Sequence, residues 1–162
     1  MRRLVILAGA LIILGAVNFN IYQREQLLAS GRSVLLELAP VDPRSLMQGD
    51  YMALRFAVEN AFAGIPRENL RDGRMVLALD ERNVGKFVRF DDRSALGPQE
   101  VVIRYRVRDE RPKFGTNAFF FQEGHAEYYA DARFGEFRVS TNGDAILTAM
   151  RGRDLQVLGP PR

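Results

Sequence analysis

Nineteen consecutive residues, Leu4 to Tyr22, carry no charge, and the first fourteen of them, Leu4 to Val17, carry no polar side chain either. As an α-helix rising 1.5 Å per residue, that stretch is about 28 Å long, close to the roughly 30 Å hydrocarbon thickness of a bilayer. Arg2 and Arg3 stand before it and Tyr22 closes it. Positive charge holds the near end in the cytoplasm and an aromatic ring suits the far interface. The expected organisation is a cytoplasmic n-region at 1–3, a transmembrane anchor at 4–22, a juxtamembrane linker at 23–32, a periplasmic β-rich domain at 33–159 and a tail at 160–162. Two readings compete with the anchor. A cleaved signal peptide has the same charge and apolar core, although its best cleavage site, after Ala16, puts Leu14 where a small residue is preferred. A buried helix of a soluble protein is the other. Ala8 with Gly15, and Gly9 with Ala16, share a helix face, which suits contact with a second membrane helix or is simply the composition of a span.

Beyond the anchor the period changes to that of strands. Val101, Ile103, Tyr105 and Val107 alternate with Arg104, Arg106 and Arg108, the pattern of a strand with one buried and one solvated face. Similar runs predict strands at about 33–38, 51–58, 75–79, 84–90, 114–121, 136–140, 145–150 and 155–158. Gly97-Pro98 closes a loop, Glu81 to Asn83 is a hairpin turn, and Asn142-Gly143 between two alternating runs signals another. A short helix is expected from His125 to Arg133, ended by Gly135. These elements predict a mainly β fold, a small antiparallel barrel or sandwich with one or two short helices.

Composition removes much familiar chemistry. The 162 residues are 47% hydrophobic and 27% charged, as in one globular domain. No cysteine is present and His125 is the only histidine, so thiolate metal sites, thiol nucleophiles and multi-histidine sites are excluded. No cofactor is expected. The net charge is +3, from 23 Lys and Arg against 20 Asp and Glu, and setting aside Arg2 and Arg3 leaves +1. A nucleic-acid binder concentrates positive charge in its folded body, so no nucleic-acid partner is expected.

The stretch from Pro40 to Phe56, PVDPRSLMQGDYMALRF, resembles the GDYxxLxY family of bacterial membrane-anchored proteins. Gly49, Asp50, Tyr51 and Leu54 match the naming motif, and Phe56 replaces its final tyrosine. Phe121-Gln122-Glu123-Gly124, Tyr129, the run from Ala132 to Val139 and the Asn-Gly hairpin are similar to that family's second half, so the resemblance covers about residues 34–158. It implies a partner class rather than a reaction, because the family has no established activity and its members often accompany, or are fused to, a multi-helix membrane protein. Physically, Gly49 permits a tight turn and Asp50 can accept bonds from neighbouring backbone amides. In the strand that follows, Met52, Leu54, Phe56 and Val58 share the core face, leaving Tyr51, Ala53 and Arg55 on the other. The candidate motif and interaction residues are Gly49, Asp50, Tyr51, Leu54, Arg55, Phe56, Glu123, Gly124, Arg133, Gly135, Glu136 and Arg138.

One enzymatic reading competes. Ser45-Leu46-Met47-Gln48-Gly49-Asp50 is similar to the end of the serine box of type I signal peptidases, which use a serine and a desolvated neutral lysine. Aligning Gly49-Asp50 on that box places Val41 at the nucleophile and Ser45 on a non-catalytic threonine, so a Ser45/Lys86 peptidase is the lesser alternative. A ligand-binding β barrel is another, with Phe119, Phe120, Phe121, Tyr128 and Tyr129 either lining a groove or filling a core. Glu123, His125 and Glu127 would share a face only in an extended strand, which the expected helix prevents, so no metal site is expected. Asp91-Asp92 and Asp109-Glu110 read as solvated turn charge. Arg104, Arg106 and Arg108 form either a protective charged sheet face or a surface for anionic headgroups or an acidic partner. The expected protein is therefore a noncatalytic periplasmic module held in the bilayer by residues 4–22, an accessory to an integral membrane protein with several helices.

Overall fold

Gly31 is the point at which helix becomes sheet. The computed structural model describes residues 2–39, 47–48, 51–116 and 118–161, the side chains of residues 2–5, 8 and 47–48 excepted. Helix α1, Arg2–Ser30, runs unbroken for 29 residues, and strand β1, Arg32–Glu37, begins directly after Gly31. A Cβ on Gly31 would stand 2.4 Å from the Leu27 carbonyl oxygen and 3.2 Å from the Arg138 Cβ. Only glycine fits so close an approach. Its N–H donates to the Leu27 carbonyl at 2.9 Å, its own carbonyl accepts from Arg138 Nη1 at 3.2 Å, and Leu27 is buried. The expected linker at 23–32 is thus mostly the last two turns of the helix.

The apolar run forms a helix whose side chains stay outside the body. Ile6, Leu11, Ile12, Ile13 and Phe19 are each about 60–70% exposed. Asn18 and Asn20, the two polar residues in the run's second half, donate their amides to the carbonyls of Leu14 and Ala16, both at 2.9 Å. Each folds back on the helix's own backbone. Among the described residues, no helix is long and apolar enough to cross a membrane.

The body is mainly β, as expected. β9 (Phe134–Val139) lies between β1 and β10 (Ala145–Arg151) in one antiparallel sheet. A second has the order β5-β4-β6-β7, from Gly85–Phe90, Gly73–Leu79, Glu100–Arg108 and Arg111–Phe114. The third and smallest pairs β2 (Met47–Gln48), β3 (Tyr51–Ala53) and β8 (Ala118–Phe120). The two larger sheets are stitched on one side by Leu35 N–H to the Asn83 carbonyl at 2.8 Å, and on the other by Arg104 N–H to the Gly143 carbonyl at 2.8 Å. Between them, Phe56, Phe114, Phe137, Leu36, Met75, Leu77, Ile103 and Met150 are almost wholly buried. The Phe56 ring meets Phe114 and Phe137 edge-on at 6.3 and 5.4 Å, the geometry in which aromatic quadrupoles attract.

Several expected boundaries are corrected. The strand expected at 51–58 stops at Ala53, because Phe56–Glu59 starts a turn of 3-10 helix, Ala57–Phe62, in which the Glu59 carboxylate accepts the Phe56 N–H at 2.8 Å. The strand expected at 114–121 is two strands, β7 and β8, and β7 returns from β6 through Asp109 and Glu110, both at positive φ. The helix expected at 125–133 is a single 3-10 turn, Ala126–Tyr129, and Gly135, expected to end it, lies inside β9. The last expected strand is one bridge, Val157 to Arg151. The strand β6 has the expected faces, with Val101, Ile103 and Tyr105 buried and Arg106 and Arg108 exposed.

Phe137 joins the aromatic cluster to the middle strand of its sheet. Phe137→Ala is expected to destabilise the body by about 3–5 kcal/mol through lost transfer energy and a residual cavity, measured by urea unfolding in mild detergent; a loss below about 1 kcal/mol would show that this cluster does not hold the sheets together.

Candidate functional site

The motif strand delivers its side chains to the expected faces although it ends early. Met52, Leu54, Phe56 and Val58 are all buried, while Arg55 is exposed. Tyr51 is half-buried opposite Phe120, with ring centroids 5.8 Å apart, and Phe120 is 73% exposed. Gly49, Asp50 and Ser45 lie outside the described residues, so the turn that precedes Tyr51 and the peptidase alternative's nucleophile are not placed.

The second half of the resemblance meets the first in the interior. A Cβ on Gly135 would be 3.0 Å from the Phe56 ring and 3.1 Å from Leu147. Gly135 therefore makes room for the residue that stands where the motif has its final tyrosine. Arg133 contributes through its main chain, accepting from Leu38 N–H and donating to the Arg151 carbonyl, both at 2.8 Å. Glu123 and Gly124 form an exposed turn, with Gly124 at φ +80. In the candidate segment Ala132 to Arg138, Gly135, Glu136 and Phe137 are buried in β9, which is flanked on both edges, whereas Arg133 is exposed and Arg138 half-buried. Of the five aromatics, Tyr129 is buried between Phe119 and Phe121 at 5.0 and 5.3 Å. They fill a core there, and Phe120 and Tyr128 face out.

Glu136 is the buried acid that sequence reasoning singled out without its partner. Arg151 donates to its Oε2 from Nε and Nη2, each at 2.7 Å, and Ser33 Oγ donates to Oε1 at 3.1 Å. Arg151 Nη1 donates in turn to the Leu155 carbonyl at 2.6 Å. The cluster ties β1, β9, β10 and the C-terminal turn together. Burial alone would push the Glu136 carboxyl up, but the bonds from Arg151 and Ser33 and the charges of Arg151 and Arg138 outweigh it and hold the pKa below the ordinary value. Glu59 goes the other way. Its burial is the largest influence and raises its pKa, against the Phe56 N–H bond and the charges of Arg55, Lys113 and Arg111.

A basic concavity of about 320 Å³ lies where the helix meets the body, lined by Arg24 of α1, Arg104, Arg106 and Arg108 of β6, Lys113 of β7 and Asp144. Arg104 pairs with Asp144 at 2.9 Å and Arg108 with Asp72 at 3.4 Å. The expected row of three arginines is thus the wall of a hollow. Arg24 and Lys113 were not connected to it by sequence, since they come from elements 80 and more residues and one hairpin away. On the far side of Arg24 and Asp144 a larger hollow, about 750 Å³, opens between the last turns of α1 and the body. Among the described residues no cluster of acidic or histidine side chains is placed to hold a metal ion. His125 lies edge-on to Tyr128 at 5.3 Å, and Lys86 is exposed on β5.

A family model described as "GDYXXLXY protein" matches residues 13–150. The match begins inside α1 and runs to the end of β10, so it takes in the helix's second half together with the body. No curated protein and no solved structure matches the chain.

The two acids have opposite consequences for stability. A depressed carboxyl pKa contributes stability that is present above the unfolded value of about 4.5 and is lost as pH falls through the folded value. Glu136→Gln leaves the Arg151 guanidinium half-buried without its counter-charge and is expected to cost about 3 kcal/mol at pH 7, with the deficit shrinking below about pH 4. Glu59→Gln keeps an acceptor for the Phe56 N–H and removes a charge that burial disfavours, so at pH 7 it is expected to be neutral or stabilising by up to about 1 kcal/mol. Urea unfolding of both variants at pH 7 and at about pH 3 checks the pair, and equal deficits at both pH values for Glu136→Gln would contradict the assignment.

Proposed function

We propose that this chain, which belongs to the GDYXXLXY protein family, is a noncatalytic module anchored in the cytoplasmic membrane by residues 4–22, with its β body in the periplasm. In this reading it serves as an accessory or interaction subunit of an integral membrane protein with several helices. The observation that supports it most is the apolar surface of α1. Side chains such as Ile12 and Leu11, 72% and 69% exposed, find no partner surface on the body, and large apolar side chains left outside the core mark a membrane or protein contact. Arg2 and Arg3 before the run favour export of everything after it. The family resemblance supplies the partner class.

The noncatalytic reading is supported by where the reactive residues stand. A lysine base requires a desolvated site, and Lys86 is exposed on β5. The ligand-barrel alternative requires an open space between the sheets, where Phe56, Phe114, Phe137, Met75 and Ile103 pack instead. Tyr51, Arg55 and Phe120 form the outward part of the motif region and are the residues assigned to partner contact.

Crosslinking of the full-length chain in native membranes, followed by capture in mild detergent, is expected to bring down a multi-helix protein. Arg55→Ala together with Phe120→Ala is expected to reduce that yield severalfold while the chain remains in the membrane fraction. Recovery of the chain alone across several mild detergents would contradict the accessory role.

A further inference from the structure

The two hollows beside Arg24 form one amphipathic surface. The basic one carries five cationic side chains, Arg24, Arg104, Arg106, Arg108 and Lys113, against the single carboxylate of Asp144. Arg104 is engaged by Asp144 and Arg108 by Asp72, whereas Arg24, Arg106 and Lys113 have no ion-pair partner among the described residues. Cations drawn from three elements around one concavity outnumber the carboxylates that act on them, Asp144, Asp72 and, toward Lys113, Glu59, and such a field concentrates anions. The larger hollow shares Arg24 and Asp144 with the basic one and offers the apolar surfaces of Phe19, Tyr22, Leu27, Leu96, Val102 and Val139. These apolar surfaces lie among polar side chains such as Gln23, Gln26 and Glu100, and they adjoin the basic wall at Arg24, in the turn of α1 that follows the apolar run.

We infer that this surface holds an anionic phospholipid, its phosphate against Arg24, Arg106 and Lys113 and its glycerol and upper acyl portion against the hollow beneath α1. The inference rests on the membrane-anchor reading, since α1 is what carries the surface to headgroup level. A phosphate ester supplies negative charge and acceptor oxygens suited to guanidinium forks. A free phosphoester would satisfy the basic wall alone, and the adjoining apolar wall favours a lipid. An acidic protein segment would likewise leave the apolar wall unused unless it carried its own apolar residues.

The test is native mass spectrometry of the full-length chain in detergent, with phosphatidylglycerol, phosphatidylcholine or glycerol 3-phosphate added at equal concentrations. Phosphatidylglycerol is expected to be retained on the order of a hundredfold better than phosphatidylcholine, since three basic side chains near an anionic headgroup contribute roughly 1 kcal/mol each. The triple variant Arg24→Gln, Arg106→Gln, Lys113→Gln is expected to bring the two lipids within about twofold of each other, through the lost charge. All three positions lie outside the core, and an unchanged unfolding temperature confirms that the variant folds. Raising the salt from 0.1 to 1 M, which shortens the Debye length from about 10 to about 3 Å, is expected to narrow the wild-type preference. Equal retention of both lipids by the wild type, or an unchanged preference in the triple variant, would overturn the inference. Displacement of the lipid by glycerol 3-phosphate at equal concentration would overturn it in favour of a soluble phosphoester. Membrane fractionation of the same wild-type preparation separates the two readings: a chain absent from membranes sinks the anchor, whereas an anchored chain without lipid preference sinks only this site.

Discussion

The central position of β9 is the constraint on which the rest of the structure depends. Among the described residues it is the only strand of its sheet with a neighbour on both edges, and three consecutive side chains tie it to three different parts of the molecule. Glu136 is bonded to Arg151 and Ser33, Phe137 enters the aromatic core against Phe56, and Arg138 reaches the Gly31 carbonyl at the foot of the helix. A strand alternates its side chains between two faces, so β9 can serve the core with one residue and the surrounding frame with the residues beside it. The helix is coupled to the body through the last of these ties and through the close approach at Gly31. That coupling gives the hollows beside Arg24 a defined shape, since one of their walls is the helix itself.

How much was legible in the sequence follows from how local each signal is. Alternation along Val101 to Arg108 and the Asn-Gly hairpin depend on residues within a few positions, and both elements formed as read. The inward set of Met52, Leu54, Phe56 and Val58 was also legible, and it survives although the strand gives way to a 3-10 turn after Ala53. The premature end comes from Glu59 capping the Phe56 N–H, a side-chain to backbone bond that competes with the strand ladder. Asp109-Glu110 reads from sequence as turn charge but not as the tight β6–β7 hairpin, because both residues adopt positive φ without the glycine or asparagine that normally announces such a turn. The Arg151 partner of Glu136 and the Arg24 and Lys113 members of the basic hollow were hidden for a different reason. They depend on how distant elements are brought together.

The motif that carries the family resemblance is divided in its roles. Leu54 and Phe56 are interior, and Gly135 from the second half of the resemblance makes the space that the Phe56 ring occupies. A resemblance read as a functional signature is thus in good part a packing signature that joins two regions eighty residues apart. What it leaves outward is a small aromatic and basic surface, Tyr51, Arg55 and Phe120. The basic hollow is a different set of residues, on the wall formed by β6, β7 and the helix. In the proposed reading the chain has two contacts to make, one with a protein and one with lipid.

The most direct test of this account is the side of the membrane on which the body lies. The chain has no cysteine, so each introduced thiol is the only one, and a membrane-impermeant maleimide applied to intact spheroplasts reads its exposure. The account predicts that Gln156→Cys, on the exposed C-terminal turn, labels without lysis, whereas Ile12→Cys, midway along the apolar run, labels only after detergent is added. Labelling of Gln156→Cys only after lysis, or free labelling of Ile12→Cys in intact cells, would contradict it.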